Sequence, residues 1–297
     1  MYKILSLAGG GVRGLLSLDF LVELEKQTGR PVHKSFDLIV GTSVGALIGA
    51  NLTHLSANYT KGLLANSLLS RLFKPNLFSF GGLIQTKYNT ESKLKAIREV
   101  VPDAPRFVDY AFPAFDIKSQ RPVIFNSLED INAGYVFTTK FSMKDAVCAS
   151  TAVPILWNPY GLLEYNLVDG AFVANSPDSI GIKLALDKNK ITSMSDILLV
   201  SVGTGVQTRQ YNFKSGTTPL RWMIPTFMML LESSSTYTKM LYHKEGFNYF
   251  SFDTNLNYGS DDIDDISSKN LLNLEKDASN LIYNNQDKIS KLVKLLK

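Results

Sequence analysis

Phe36-Asp37-Leu38-Ile39-Val40-Gly41-Thr42-Ser43-Val44-Gly45-Ala46-Leu47-Ile48-Gly49-Ala50 changes its character halfway. Up to Val40 it is a short apolar run with β-branched residues, which reads as a buried strand. From Val44 it is rich in Ala and Leu, which reads as a helix. The junction, Gly41-Thr42-Ser43-Val44-Gly45, is a Gly-x-Ser-x-Gly between strand and helix, the pattern of a nucleophile elbow. A sharp turn projects the serine hydroxyl at the carboxyl end of the strand. Small neighbours two residues to either side let strand and helix approach. The helix amino terminus directs partial positive charge at the serine and at any oxyanion formed there. An ordinary turn is the competing reading, since the five-residue pattern also recurs by chance.

The residues before this stretch bear on the choice. Residues 3–7 read as a first strand, and Gly9-Gly10-Gly11-Val12-Arg13-Gly14 follows directly. Over 15–28, Leu15, Leu18, Leu21, Val22 and Leu24 recur at helical spacing, and Gly29-Arg30-Pro31 ends that helix. Strand, glycine loop, helix, strand, elbow, helix is a βαβα order, which implies a parallel sheet. Both glycine turns then lie at the carboxyl ends of parallel strands, where α/β proteins place their sites. Residues 9–14 fit G-x-G-x-x-G, but no acidic residue is clearly placed for a dinucleotide ribose, and no Lys-Ser or Lys-Thr follows for a Walker loop. Three glycines at a helix start instead expose successive N–H groups as a nest. Beside a nucleophilic serine such a nest is an oxyanion hole, with Arg13 as a nearby fixed charge. A plain tight turn with Arg13 on the surface is the alternative.

Composition excludes little but sets the class. The chain has 297 residues, 45% hydrophobic and 20% charged, with a net charge of +4; this is ordinary globular usage. The mild positive charge does not indicate a nucleic acid polymer as partner and does not oppose an anionic membrane surface. The single cysteine, Cys148, allows no intrachain disulfide and reads as buried packing. The first residues are too short for a secretory apolar region before the glycines, and no run is long enough to span a bilayer. A cytoplasmic protein is the expectation.

Further along, 51–72 reads as continuous helix and 73–86 as loop. A helix is expected over 90–101 with Thr90 as its cap. Strands over 111–117 and 122–125 pair around Lys118-Ser119-Gln120-Arg121. A helix over 142–150 runs into Thr151-Ala152-Val153-Pro154. A short strand over 165–168 ends at Asp169-Gly170-Ala171, and a buried one over 196–202 ends at Gly203-Thr204-Gly205. Asp261-Asp262-Ile263-Asp264-Asp265 lacks EF-hand spacing and reads as a solvated acidic loop. In the tail, Ile289, Leu292, Val293 and Leu296 make one apolar helical face, expected to pack on the body.

With 9–14, 41–45 and Asp169-Gly170 in this order, the chain resembles the patatin-like phospholipases. The family's loop is usually Asp-Gly-Gly-Gly-x-Arg/Lys-Gly; here Ala8 stands for the aspartate. Ala149-Ser150-Thr151-Ala152-Val153-Pro154, Asp169-Gly170-Ala171 with Ala174-Asn175-Ser176-Pro177, and Ser201-Val202-Gly203-Thr204-Gly205 resemble three further segments of that family. The likeness covers about 3–250. It implies a three-layer α/β fold with a central, mostly parallel sheet and helices on both faces, as one domain over 1–297. Residues 255–297 form an acidic loop and amphipathic helix beyond the likeness. It implies a lipid acyl hydrolase of phospholipase A or lysophospholipase type, with no cofactor and no metal. By the same resemblance Ser43 is the nucleophile and Asp169 its base. Gly10 and Gly11 give the oxyanion donors, helped by Arg13, and Gly9, Gly14, Gly41, Gly45 and Gly170 are motif glycines. An aspartate can act as base where burial raises its pKa.

A Ser-Asp-His esterase or acyltransferase is the enzymatic alternative; of His33, His54 and His243, only His243 follows Asp169 in the α/β-hydrolase order. A nucleotide- or lipid-binding module using the glycine loop, and a storage or scaffold protein, are the non-catalytic ones. A phospholipid or other acyl-ester lipid must reach Ser43 from a membrane surface. Leu77-Phe78-Ser79-Phe80-Gly81-Gly82-Leu83 and Trp222-Met223-Ile224-Pro225-Thr226-Phe227-Met228-Met229-Leu230-Leu231 are the candidate contacts, with core packing as the alternative.

Overall fold

The structure is a computed structural model. It describes every residue except 78, 80, 81, 83, 104, 105, 129, 130, 133–135, 188–190, 192, 212–218 and 243–247. In chain order the elements are β1 (Tyr2–Leu7), α1 (Gly14–Thr28), β2 (Leu38–Gly41), α2 (Val44–Leu52), α3 (Ala57–Leu63), α4 (Leu69–Leu72), α5 (Thr90–Val100), β3 (Asp109–Asp116), β4 (Arg121–Asn126), β5 (Ile131–Asn132), β6 (Val136–Thr138), α6 (Met143–Ser150), β7 (Tyr160–Leu162), β8 (Tyr165–Asp169), α7 (Asp178–Asp187), β9 (Ile197–Val202), α8 (Pro219–Tyr242), β10 (Asn248–Phe252), α9 (Ser268–Asn284) and α10 (Gln286–Leu296).

One sheet runs in the order β10-β9-β1-β2-β3-β4-β6-β5, with β8 added on β3 and β7 on β8. From β10 to β3 every pairing is parallel; the β3–β4 hairpin is antiparallel, as the sequence predicts. Strands buried on both faces explain the apolar runs. Leu5, Ile39, Leu198 and Val200 point into a large core shared with α1, α2, α6, α9 and α10. Their neighbours Ile4, Val40 and Leu199 point into a second core under α7. The period-2 alternation thus separates two cores across one sheet, giving three layers with helices on both faces.

Register positions the site. Leu7 pairs with Gly41 and with Val202, so β1, β2 and β9 end level. The glycine loop, the serine elbow and Gly203-Thr204-Gly205 therefore leave the same rim side by side. The antiparallel strand β8 pairs Asp169 with Ala114, beyond the Val40–Ala111 pair where β2 and β3 meet, and so returns a carboxylate to that rim.

Three local expectations change. The helix expected over 51–72 stops after Leu52. It restarts as α3 with Ser56 capping the Tyr59 N–H, then widens into a π-helical stretch over Leu64–Leu68 before α4. Asn89, not Thr90, caps α5, accepting the Ser92 N–H at 2.8 Å; Thr90 is the first helical residue, and its hydroxyl accepts the Asn158 N–H. The tail is two helices, and Ile289, Leu292, Val293 and Leu296 are all buried on the body. Four such burials contribute on the order of 6–12 kcal/mol before ordering costs, which favours this packing over exposure. Among the described residues no helix is long and apolar enough to cross a membrane.

Candidate active site

Ser43 adopts φ 55, ψ −122. A non-glycine residue there carries on the order of 1–3 kcal/mol of strain, so its surroundings must impose it. Thr42 N–H donates to the Leu7 carbonyl at 3.1 Å, and the Ala46 and Leu47 N–H groups donate to the Ser43 carbonyl. The Thr42 hydroxyl donates to the Ala174 carbonyl at 2.6 Å, and Ser43 N–H donates to Ser150 Oγ at 3.1 Å. A Cβ on Gly45 would collide with the Leu7 carbonyl, and one on Gly41 with that of Gly45. Gly45 is therefore required by the close crossing of α2 over β1, and Gly41 by the tight turn from β2 into α2.

The glycine loop lies against this serine: a Cβ on Gly9 would stand 3.3 Å from Ser43 Cβ. Gly9 N–H donates to the Asn175 carbonyl at 3.0 Å, and Val12 N–H to the Ile263 carbonyl at 2.8 Å. Among the described residues nothing accepts the N–H groups of Gly10 and Gly11. The nest thus offers two open donors rather than three. Their peptide partners are both engaged. The Gly9 carbonyl, sharing a peptide with Gly10 N–H, accepts the Thr204 hydroxyl at 2.8 Å. The Gly10 carbonyl, sharing a peptide with Gly11 N–H, accepts Arg13 Nε at 3.3 Å. Accepting a bond at the carbonyl polarises the amide and strengthens its donor.

Arg13 is buried, not on the surface, and its Nη1 has no partner among the described residues. Burial disfavours its charge, while Glu232, Asp253, Asp261 and Tyr211 favour it; a guanidinium stays protonated under such conditions. It lines one small cavity together with Ser43, Asp169, Gly10 and Gly11.

Asp169 is fully buried. Its Oδ1 accepts the Ala171 N–H at 2.8 Å, and its own N–H donates to the Ala152 carbonyl at 3.0 Å. Among the described residues Oδ2 completes no hydrogen bond of good geometry, although the Ser43 hydroxyl is close enough to favour the ionised form. Burial pushes the carboxyl up to about 6; Ala171, Ser43 and Lys93 oppose the shift. Such a group is ionised at neutral pH yet basic enough to take a proton.

A second cavity opens from Ser43 on the other side. It is a pocket of about 50 Å³ walled by Leu15, Leu47, Leu72, Phe73, Ile97 and Trp157, with the buried Lys93 among them. Ser43 is 7% exposed, and among the described residues these two cavities open onto it. Ile263 borders both of them and a third, outer cavity that also holds Lys87, Arg209 and Tyr211. The acidic run around Ile263 is a loop, but of its carboxylates only Asp262 is exposed; the others are half-buried. Asp264 accepts Lys87 Nζ at 2.6 Å and the Tyr88 hydroxyl at 2.8 Å. Asp261 accepts the N–H groups of Thr208 and Arg209, and Asp262 pairs with Arg209 at 3.1 Å. These bonds hold 261–264 as a strap over the glycine loop.

Neither His33 nor His54 lines a cavity with Ser43; His33 stacks near Phe107 and His54 bonds Thr53. His243 lies outside the described residues, as do Phe78, Phe80, Gly81 and Leu83. Helix α8 divides by face: Met228 is buried against the site, while Leu230 is 63% exposed. Among the described residues no group of three or more His, Cys, Asp or Glu could hold a metal ion. Lys93, Ser150, Thr204 and Ile263 were not singled out in the sequence. Ser150 and Thr204 lie in segments that carry the family likeness, and Ile263 lies in the acidic run; Lys93 leaves only the trace of a lysine on the same helical face as Ala96 and Ile97.

Residues 5–179 match the family described as patatin-like phospholipase, and the chain belongs to that family. Members of the family are lipid acyl hydrolases. The chain is 28% identical over 276 residues to Patatin of Solanum tuberosum, covering 80% of this chain and 70% of that protein. It is 29% identical over 278 residues to Patatin-2-Kuras 4 of the same organism, covering 80% and 73%. Among solved structures it is similar to VipD from Legionella pneumophila, with a TM-score of 0.43 at 11% identity over 95% of this chain and 67% of that one.

Proposed function

We propose that this protein is a phospholipase A or lysophospholipase that cleaves fatty-acyl esters through a Ser43–Asp169 dyad and an acyl-enzyme. The observation that carries the reading is the convergence on one cavity of a strained serine, a buried carboxylate with an unengaged oxygen, and two open N–H donors. Ser43 Oγ attacks the acyl carbonyl and its proton passes to Asp169 Oδ2. The carbonyl oxygen becomes an oxyanion facing the Gly10 and Gly11 N–H groups. Arg13 and Thr204 act on it through the peptides that carry those donors. The ester C–O bond then breaks, and Asp169 returns the proton to the leaving alcohol. Water attacks the acyl-enzyme, losing its proton to Asp169 and releasing the fatty acid. Asp169 then reprotonates Ser43.

The apolar cavity beside Ser43 suits the start of an acyl chain, and the outer cavity with Lys87 and Arg209 suits the polar remainder of the lipid. Residues 1–297 act as one domain in this reading, since α9 and α10 share the core of α1. The substrate comes from a membrane surface, and the exposed Leu77, Ile84 and Leu230 are the apolar contacts. The test is hydrolysis of a panel of phospholipids, lysophospholipids and neutral glycerolipids by the purified protein, with Ser43→Ala as control. Release of fatty acid that is abolished in the variant is the expected result; release that persists in Ser43→Ala excludes the dyad.

A further inference from the structure

Among the described residues Lys93 is the only buried lysine, at 1% exposure. It belongs to α5, on the face shared with Ala96 and Ile97. Its Nζ donates to the Thr151 carbonyl at 2.8 Å and the Cys148 carbonyl at 3.4 Å, and lies 4.9 Å from the centre of the Trp157 ring. Those carbonyls bracket the end of α6. The same five residues hold both members of the dyad: Ser150 Oγ accepts the Ser43 N–H, and the Ala152 carbonyl accepts the Asp169 N–H. One turn, 148–152, is therefore gripped by Lys93 on one side and grips Ser43 and Asp169 on the other.

We propose that Lys93 is a positioning residue for the dyad. Its ammonium pins the 148–152 turn that orients Ser43 and Asp169, and it supplies the positive charge that keeps the Asp169 carboxylate ionised out of contact with water. The proposal rests on the dyad reading above.

The charges around the pair support the electrostatic part. Cys148, on α6, faces Lys93, but burial pushes its thiol up to about 11, so it is neutral. Arg98 and Asp145 act on that thiol from further along α5 and α6. Around Asp169 stand the Ala171 N–H, the Ser43 hydroxyl and Lys93, with Arg13 and Glu232 across the shared cavity. Lys93 is thus the cation that acts directly on Asp169. Burial pushes Lys93 down to about 8 and Asp169 up to about 6, so near pH 7 both are charged. A lysine that merely capped the end of α6 would satisfy the same carbonyls, without bearing on how Asp169 titrates.

The experiment is the pH dependence of kcat/KM for a soluble p-nitrophenyl acyl ester. It compares the wild-type chain of residues 1–297 with Lys93→Met, Lys93→Arg and Ser43→Ala. The wild-type rate should rise through about pH 6 as Asp169 ionises. Without the neighbouring positive charge, the acid limb of Lys93→Met should move up by about one pH unit. Its deficit, roughly tenfold below pH 6, should shrink toward pH 9 with KM little changed, and Lys93→Arg should keep the limb near its wild-type position. A Lys93→Met protein that is slowed equally at every pH, or that keeps the wild-type profile, overturns the proposal. Should that variant fail to fold, Lys93→Arg decides: an acid limb displaced upward despite the retained charge overturns it. A Ser43→Ala protein that still hydrolyses the ester removes the dyad itself, and the proposal with it; an inactive Ser43→Ala beside an unaltered Lys93→Met removes the proposal alone.

Discussion

The carbonyl of Ile263 accepts the N–H of Val12 at 2.8 Å, and this bond fixes how many donors the glycine loop presents to Ser43. With Val12 engaged, Gly10 and Gly11 are left open. The bond also brings the Ile263 side chain to the junction of the apolar and outer cavities. Gly11 sits at φ 59 beneath the Ile263 carbonyl, where a Cβ would collide with that oxygen. Strap and loop are thus fitted to each other.

Ile263 should therefore set the width of the passage to Ser43. Ile263→Ala should raise kcat/KM for bulky or branched acyl esters relative to slender ones, by about tenfold, the order expected from removing a few methyl groups from a pocket wall. Rates on a paired panel of esters check this; an unchanged ratio would show that the passage lies elsewhere.

Thr204 offers a cleaner probe of the proposed oxyanion site than the glycines do, because a methyl on Gly10 would collide with Thr204 itself. Thr204→Val keeps the shape and removes the bond to the Gly9 carbonyl. Turnover should fall about three- to tenfold, in line with one lost hydrogen bond, with KM little changed. Thr204→Ser should restore most of it. A change confined to KM would assign the residue to substrate binding.

Ser43→Ala should abolish hydrolysis and labelling by a fluorophosphonate, while leaving the melting temperature unchanged or raised, since it deletes one oxygen at a strained position. Mass spectrometry of labelled wild type should locate the probe on Ser43. His33→Gln, His54→Gln and His243→Gln should each retain most activity.

Asp169 makes opposite predictions for rate and stability. Its folded pKa, about 6, lies above the ordinary aspartate value of 3.8. The folded chain then holds a proton that the unfolded chain has released, so this group's contribution to stability falls as pH rises from about 4 to above 6. Asp169→Asn should lower turnover about a hundredfold or more. It should also stabilise the fold at pH 7 by up to about 3 kcal/mol, the equivalent of a two-unit shift, with the gain vanishing below about pH 4. Thermal melts of both proteins across this range check the sign.

Apolar side chains on the surface should matter for lipid in vesicles and not for soluble ester. Leu77 and Ile84 are 81% and 74% exposed, and Leu230 of α8 is also outside the core. Leu77→Ser with Ile84→Ser should weaken vesicle sedimentation and vesicle hydrolysis several-fold while sparing a short soluble ester. Equal loss on both substrates with a lowered melting temperature would identify these residues as packing.

The sequence by itself determined the order β1, glycine loop, α1, β2, elbow, α2, and with it a parallel sheet whose loops converge. These are consequences of short-range rules: period-2 and 3.6 patterns, and turns that only small residues allow. It also pointed to Ser43, because an elbow is a local object. Asp169, by contrast, was an ordinary aspartate before glycine until the family likeness gave it a role. Only the tertiary structure decided that it is fully buried, with one oxygen turned to the Ser43 hydroxyl and Lys93 acting on it. The same holds for Arg13, read either as a fixed charge beside the glycine loop or as a surface residue, and for the acidic run, read as solvated, of which Lys87, Tyr88 and Arg209 hold Asp264 and Asp262 in place. Even the cap of α5 passed from Thr90 to Asn89 by one residue. Desolvation, the satisfaction of donors and the pairing of charges depend on atoms contributed by segments far apart in the chain. No window of neighbouring residues contains those atoms, and they meet only when the sheet has set its register and the strap has closed over the glycine loop.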